Sequence, residues 1–494
     1  MKRVMILAVL GLLVSAPALM AADVNEQDQR IQELEKSVAE LRAQLNEQSV
    51  DSRNVELLRE MVKDMGDNGP SVGQDSTLTA GYDNRFYIRR ADDMFRLQID
   101  TLMQLRHTYA TTDDCDDDLM QDGTRAPFGQ SGVDNSSAGA ELERARLYLT
   151  GHVLKDVDYR IVFEADDDGG DQFLYEYEVG YAFMPELGVR AGRYKGPFGK
   201  QEITSSGRLM MIDRSLANEV FNIDRMSGAE IFGTIDLGDV QPVYRAGIFN
   251  GLATNNARAR QSTDNSPAVA GRLAVPLMGA TEKDFANESD LQWHKNPVAM
   301  VGTSFAYSND RVEDTWAGGD GRSFTFLGKN PDDCKSDVYA LGGEVTQFGA
   351  DASYKYAGLS MTLEGFYQHV DVDSGEVAYL ADGFGNGRSV AGPMGELIAG
   401  ESLDNYGWYG QAGYFLVKDI FEVAGRVGSV CVDGTNDSYE YAAGWNWYLA
   451  GQDLKLSMDV TYIDDLPMRS SSANFDGIEN NSLVLVRTQL QFQF

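Results

Sequence analysis

The chain has 494 residues, 43% of them hydrophobic, with 42 lysines and arginines against 76 aspartates and glutamates and a formal net charge of −34. That balance excludes nucleic acid as a partner, which demands basic surface, and 10% aromatic residues with only 12 prolines exclude an acidic disordered chain. After the first 22 residues there is no apolar run near the roughly 18 that a spanning helix needs, so the chain is either soluble or crosses a membrane as a closed barrel.

At the N-terminus, Lys2 and Arg3 precede an apolar stretch from Val4 to Val14, and small residues follow at Ala16-Pro17-Ala18 and Ala21-Ala22. This pattern predicts a signal peptide over 1–22, too short for a membrane anchor, with the exported chain starting near Asp23. Ile31, Leu34, Val38, Leu41 and Leu45 then follow a 3-4-3-4 spacing flanked by Glu33, Glu35, Lys36, Glu40 and Arg42. The seam resumes with Val55, Leu58, Val62 and Met65 until Gly66, Gly69 and Pro70 end it. A coiled-coil helix over 23–66 and a linker over 67–80 are expected. The coiled coil would join subunits or touch the cell wall; the alternative is one amphipathic helix lying on the rim of the next domain. Branched residues at a with Leu at d favour two strands, but so short a seam does not set the number.

From about residue 81 the period changes to two. Leu97, Ile99, Met103, Leu105 and Tyr109 alternate with Gln98, Asp100, Gln104 and Arg106. Tyr175, Tyr177, Val179, Tyr181 and Phe183 share one face of the segment 173–183, and Leu454, Leu456, Met458, Val460 and Tyr462 one face of 454–462. Strands about ten residues long, apolar on one side and polar on the other, are the signature of a transmembrane barrel. The expected strands are 95–109, 142–154, 159–165, 172–183, 187–193, 226–237, 243–250 and 268–275, then 297–307, 346–356, 359–370, 405–416, 420–431, 439–449, 454–463 and 482–494. The fold class is therefore an all-β, sixteen-stranded antiparallel transmembrane barrel over 81–494, preceded by an α-helical coiled coil. Connections alternate short and long, as such barrels require. Two depart from the rule, 166–171 being short and 276–296 long, which points to a miscounted strand pair. The chain ends on an amphipathic strand whose last residue is Phe494, suited to an interfacial aromatic girdle. A soluble secreted β-protein would instead need a second sheet to cover Tyr175, Tyr177, Tyr181, Trp408, Trp445 and Trp447.

The three cysteines, Cys115, Cys334 and Cys431, form no CxxC, and His107, His152, His294 and His369 are scattered singly. Cys115 and Cys334 each lie among aspartates; a disulfide between them and separate thiols are both open. No GxSxG, HExxH or P-loop occurs, so no enzyme and no cofactor are expected. Acidic runs at Asp113, Asp114 and Asp116–Asp118 and at Asp166–Asp168 lack EF-hand spacing and read as solvated loops.

The stretch Gly192-Arg193-Tyr194-Lys195-Gly196-Pro197-Phe198-Gly199, continuing to Thr204-Ser205-Ser206 and Asp213-Arg214-Ser215-Leu216, resembles the strand-to-constriction-loop segment of the phosphate-selective porins O and P. Gly81–Ala91, Gly247–Gly251, Gly407–Leu416, Gly444–Leu449 and Arg487–Phe494 are similar to that family too, so the likeness spans about 81–494. It implies a sixteen-stranded, usually trimeric outer-membrane porin whose third external loop folds into the lumen, with a preference for anions. The external loops here are more acidic and longer than the resemblance leads one to expect, so it implies a porin without fixing phosphate specificity.

Selectivity follows charge at the narrowest point. The constriction segment, about 193–225, carries Arg193, Lys195, Lys200, Arg208, Arg214 and Arg225 against Glu202, Asp213, Glu219 and Asp224. Arg144, Arg146, Arg160, Arg272, Arg426 and Arg487 fall on polar strand faces. Arginine suits small anions because its fork is always charged and binds two oxygens at once. Three outcomes are open: an anion-preferring pore, a general pore for small hydrophilic solutes in which these arginines only stiffen the wall by pairing with Asp100, Glu164, Glu176, Glu364 and Glu422, and a cation-preferring pore set by the acidic mouth. A structural or adhesive barrel tethered by its coiled coil is the rival to any channel.

Overall fold

The computed structural model describes residues 78–83, 85–112, 136–165, 174–250, 267–310, 324–328, 337–380, 402–431, 437–465 and 482–494. The predicted signal peptide and coiled coil, Cys115, Cys334 and the acidic runs lie outside them. The first described strands are β1 (Leu78–Asp83) and β2 (Arg85–Arg90). There follow β3 (Phe95–Thr112), β4 (Ser136–Val153), β5 (Val157–Ala165), β6 (Leu174–Met184), β7 (Leu187–Lys195), β8 (Arg225–Thr234), β9 (Val243–Phe249) and β10 (Ala268–Leu277). The chain continues with β11 (Val298–Asp310), β12 (Phe324–Gly328), β13 (Asp337–Tyr356), β14 (Leu359–Leu380) and β15 (Ser402–Val417). It ends with β16 (Phe421–Cys431), β17 (Ser438–Tyr448), β18 (Leu454–Asp464) and β19 (Leu483–Gln493).

Each strand from β3 pairs antiparallel with the next, β11 pairs with β13, and β19 pairs back onto β3, with Leu105 opposite Leu490. The ring so closed holds sixteen strands, because β1, β2 and β12 are additions to it. Closure removes every sheet edge from the ring. The alternation in the sequence is the alternation of the wall: along β3, Leu102, Gln104, Arg106, Thr108 and Ala110 are buried inside while Met103, Leu105 and Tyr109 face out. Leu363, Trp408, Tyr441, Val460 and Phe492 continue that apolar belt around the ring, an arrangement inside-out for water and right for lipid.

One end of the ring carries short turns. Leu154 and Lys155, and Ala357 and Gly358, are consecutive residues of positive φ, the geometry that matches strand twist in two-residue hairpins. The anomalous connection after β10 sits at this end and hides no missing strands. Its residues turn inward, so the count of sixteen stands and the suspicion of a miscounted pair is corrected. The connection flagged after β5, between Ala165 and Leu174, lies outside the described residues.

A second correction concerns Tyr175. The register of β5 on β6 slips between Val162 and Phe163, leaving Tyr175 as the extra residue of a β-bulge. A bulge sends two neighbouring side chains to the same face. Tyr175 therefore points into the lumen, where its hydroxyl accepts a hydrogen bond from Arg146 at 3.0 Å, while Tyr177 and Tyr181 keep the outer face.

Candidate functional site: the lumen and its inward loop

After β7 the chain leaves the wall at Gly196-Pro197-Phe198-Gly199 and crosses the lumen. A Cβ at Gly196 would stand 2.4 Å from the tip of Met226 and 2.8 Å from the tip of Ile223, so glycine lets these two side chains close over the point where the chain departs. Two short helices follow, α1 (Lys200–Ile203) and α2 (Leu216–Phe221), with a 3₁₀ turn at Ser206–Arg208 between them. Ser215 caps α2 by accepting from the Asn218 amide at 3.0 Å. Phe198 and Phe221 are fully buried and stack on Phe366 of β14 at 6.1 and 5.6 Å, wedging both ends of the loop against the wall.

Between these wedges the wall holds the loop by its backbone. Glu364 accepts from the amides of Lys200 and Gln201, and Glu440 accepts from Leu216 at 2.9 Å. In the other direction Arg426 donates to the carbonyls of Asp213 and Arg214, Lys455 to Leu209, Asn446 to Met210 and Gln491 to Gly207, all within 3.0 Å. Asp213 is the electrostatic centre, bonded to Arg106 at 2.8 Å and Arg487 at 2.7 Å. Burial alone would raise its carboxyl, but these arginines and Arg144 hold it well below the usual carboxylate range. A bulge on β4 supplies Glu143, which reaches Arg106 at 3.0 Å and Arg144 at 3.1 Å. The loop thus covers the wall from β13 round to β3.

The opposite wall stays open. Between it and the loop lies a cavity of about 510 Å³ whose lining, among the described residues, includes eleven lysines and arginines and four acids, Asp100, Glu176, Glu178 and Glu282. Arg146 pairs with Glu164 at 2.6 Å, Arg225 with Glu176 at 2.7 Å, and Arg190 and Arg245 share Glu230 at 2.6 and 2.8 Å. Arg160, Arg146, Arg225 and Arg190 also lie over the rings of Tyr148, Tyr175 and Tyr194, which adds a cation–π attraction. Three lining cations make no ion pair among the described residues: Arg208, Lys200 and Lys283. Arg208 is exposed, and partial burial together with the charges of Arg85 and Arg160 shifts its titration downward. Lys200 donates to Thr204 Oγ1 at 3.0 Å and the Phe285 carbonyl at 2.9 Å. Burial and the nearby Arg272 shift it downward as well.

Of the expected pore residues, Lys195, Lys200, Arg208, Arg225, Arg146, Arg160 and Arg272 line this cavity. The other four sit elsewhere. Arg193 shares the outward face of Val189 and Ala191, opposite Tyr177, because two-residue spacing along β7 sends Arg190 and Tyr194 inward instead. Arg487 is sealed between wall and loop by Asp459 and Asp213. Arg214 is spent on Glu202 and on carbonyls of its own loop. Arg144 stands one inward position beyond Arg146 toward the long-loop end of β4, on Glu143 and Gln104. Arg85, Arg190, Arg245 and Lys283 line the cavity without having been singled out. Arg190 and Arg245 occupy polar positions of alternating strands, the signal that would have found them.

The sequence pattern of the phosphate-selective porin O and P family matches residues 120–494. No curated protein matches the chain. Among solved structures, the anion-selective porin of Comamonas acidovorans is similar at 11% identity, covering 81% of this chain and 100% of its own, with a TM-score of 0.45. OmpT of Vibrio cholerae in its trimer form stands at 12% identity, 81% and 99% coverage and a TM-score of 0.45. OmpF of Salmonella typhi, in complex with daunomycin, stands at 12% identity, 84% and 100% coverage and a TM-score of 0.46.

Proposed function

The chain belongs to the phosphate-selective porin O and P family, and from that premise we propose how its lumen selects what passes. It is an outer-membrane β-barrel porin, a channel and not an enzyme. Solutes cross between the inward loop and the wall of β4 to β10, and the pore carries a modest preference for small anions. The observation that carries this reading is the lining, eleven basic side chains against four acidic ones, with Arg208, Lys200 and Lys283 unpaired among the described residues. Most wall arginines are matched by carboxylates, so the field at the loop comes from these few cations. The preference is therefore weak, and general hydrophilic solutes pass as well. With short turns facing the periplasm, we further read the chain as the homotrimer expected of its family. Residues 1–22 would be an export signal and 23–66 a periplasmic coiled coil that joins subunits or touches the cell wall.

The test is the reversal potential of the refolded protein in a planar bilayer across a KCl gradient. A chloride-directed potential is expected, reduced by added phosphate. A potassium-directed potential would overturn the anion reading, and folded protein that does not conduct would favour a structural barrel.

A further inference from the structure

The connection from Met278 to Pro297 belongs to the short-turn end yet runs up inside the barrel. Met278 and Gly279 both have positive φ, 60° and 74°, which turns the chain back on itself at the end of β10. Asp284 then accepts from the Thr281 amide at 2.7 Å and the Thr281 hydroxyl at 2.9 Å, starting a 3₁₀ turn at Glu282–Phe285. Phe285 is buried with Ala274, Ala280, Val298 and Met300 as a small apolar core.

Two clasps fix the segment. The Lys355 ammonium of β13 donates to the carbonyls of Asp284, Asn287 and Ser289 at 2.9, 2.6 and 3.1 Å. Asp290, fully buried, accepts from the Gly358 amide at 2.8 Å. The segment then meets the constriction loop. Glu288 accepts from the Met210 amide at 2.7 Å and from Gln201 Nε2 at 3.1 Å, and its own amide donates to the Arg208 carbonyl at 3.1 Å. Lys200 closes the contact on the Phe285 carbonyl. This joins two inward segments, one from each end of the barrel, backbone to backbone, beside the same cavity.

We infer that this periplasmic connection is the second half of the constriction, and that Lys283 upon it is a specificity-determining residue for anions on a par with Arg208. The inference rests on the porin reading. Lys283 is exposed, lines the cavity and makes no ion pair among the described residues, and the fixed backbone beneath it keeps its charge in the path. An anion passing Arg208 therefore meets a second cation that is held in no ion pair among the described residues, with Glu282 beside it on the same turn as the one nearby opposing charge in the lining.

The experiment measures the chloride-to-potassium permeability ratio of the full refolded chain and of Lys283→Glu, Arg208→Glu and Lys155→Glu. One unit charge several ångströms from a permeating ion in water changes its energy enough to alter that ratio about threefold. Lys283→Glu and Arg208→Glu are each expected to lower the ratio at least threefold, while Lys155→Glu, the same charge change on a short turn, moves it little. If Lys283→Glu behaves as Lys155→Glu while Arg208→Glu shifts the ratio, the inference fails and the porin reading stands. If neither cavity variant shifts it, the path does not run through this cavity, and the inference fails together with the proposed anion route, while conduction still marks a porin. Lys355→Met, which frees the three carbonyls, is expected to give a larger, noisier conductance; the native noise level in that variant would also count against a fixed second constriction.

Discussion

On the wall that the loop covers, Arg106, Arg426 and Arg487 have side chains 0%, 1% and 4% exposed. On the open wall Arg160, Arg190 and Arg245 have the same kind of carboxylate partner yet stay 40%, 22% and 19% exposed. Where water is gone, a guanidinium and its acid form a unit that loses heavily if split. Where the arginine keeps water, its pairing is better screened and contributes less to stability, and its carboxylate offsets most of its pull on a passing ion. The same side chain thus holds the loop on one side and, largely neutralised by its carboxylate, lines the open cavity on the other.

Breaking the covered side should have the largest effect. Asp213→Ala strips Arg106 and Arg487 of a buried partner, and such losses run to about 3–5 kcal/mol. Thermal unfolding of the refolded barrel, read as loss of the compact form on an unheated gel, should begin well below the native protein. Arg190→Gln on the open side should move that transition far less, because Arg245 still pairs the buried Glu230; an equal loss there would dissolve the distinction between the halves. For conduction, Arg190→Gln should change the permeability ratio by about twofold at most, because Glu178 and Glu230 already screen the charge. A larger shift would mean that paired arginines still set selectivity.

The smallest effect sharpens the border between the halves. Glu219, on α2, is pushed up to about 7 by burial, against the opposing pull of Arg214. It is neutral below that pH and negative above it. Anion preference should therefore rise modestly as pH falls from about 8 to about 6, and Glu219→Gln should remove that step. A pH profile unchanged by the substitution would place the titrating charge elsewhere.

The ring of strands was legible because lipid outside and water inside impose a period of two on nearly every segment. The departures were legible only in hindsight. Tyr175 extends an apolar alternation unbroken to Phe183, so the bulge that turns it inward leaves no trace in composition. Arg193 sits in the segment that resembles a constriction loop, and that likeness outweighed the spacing from Val189 that puts it outside. The residues 278–297 were legible only as an anomaly of length. What they do depends on Lys355 and Gly358, whose contacts with them span 66 to 71 residues, and no local pattern announces such contacts. Lys283 was missed for the same reason.

The seam between β19 and β3 has a consequence for how the molecule is made. Arg106 and Gln489 bond across it at 3.2 Å, 383 positions apart in the chain, and the Thr101 amide donates to the Phe494 carbonyl at 2.9 Å. Every other neighbouring pair in the ring can zip with a partner close in sequence, whereas this one waits for the final strand and bears the loop-closure entropy of nearly the whole chain. Until then β3 and β18 are open edges ready to pair with a second molecule. Losing the last strand would leave both edges permanently unsatisfied, so the product of such a truncation would be an aggregate rather than a smaller barrel.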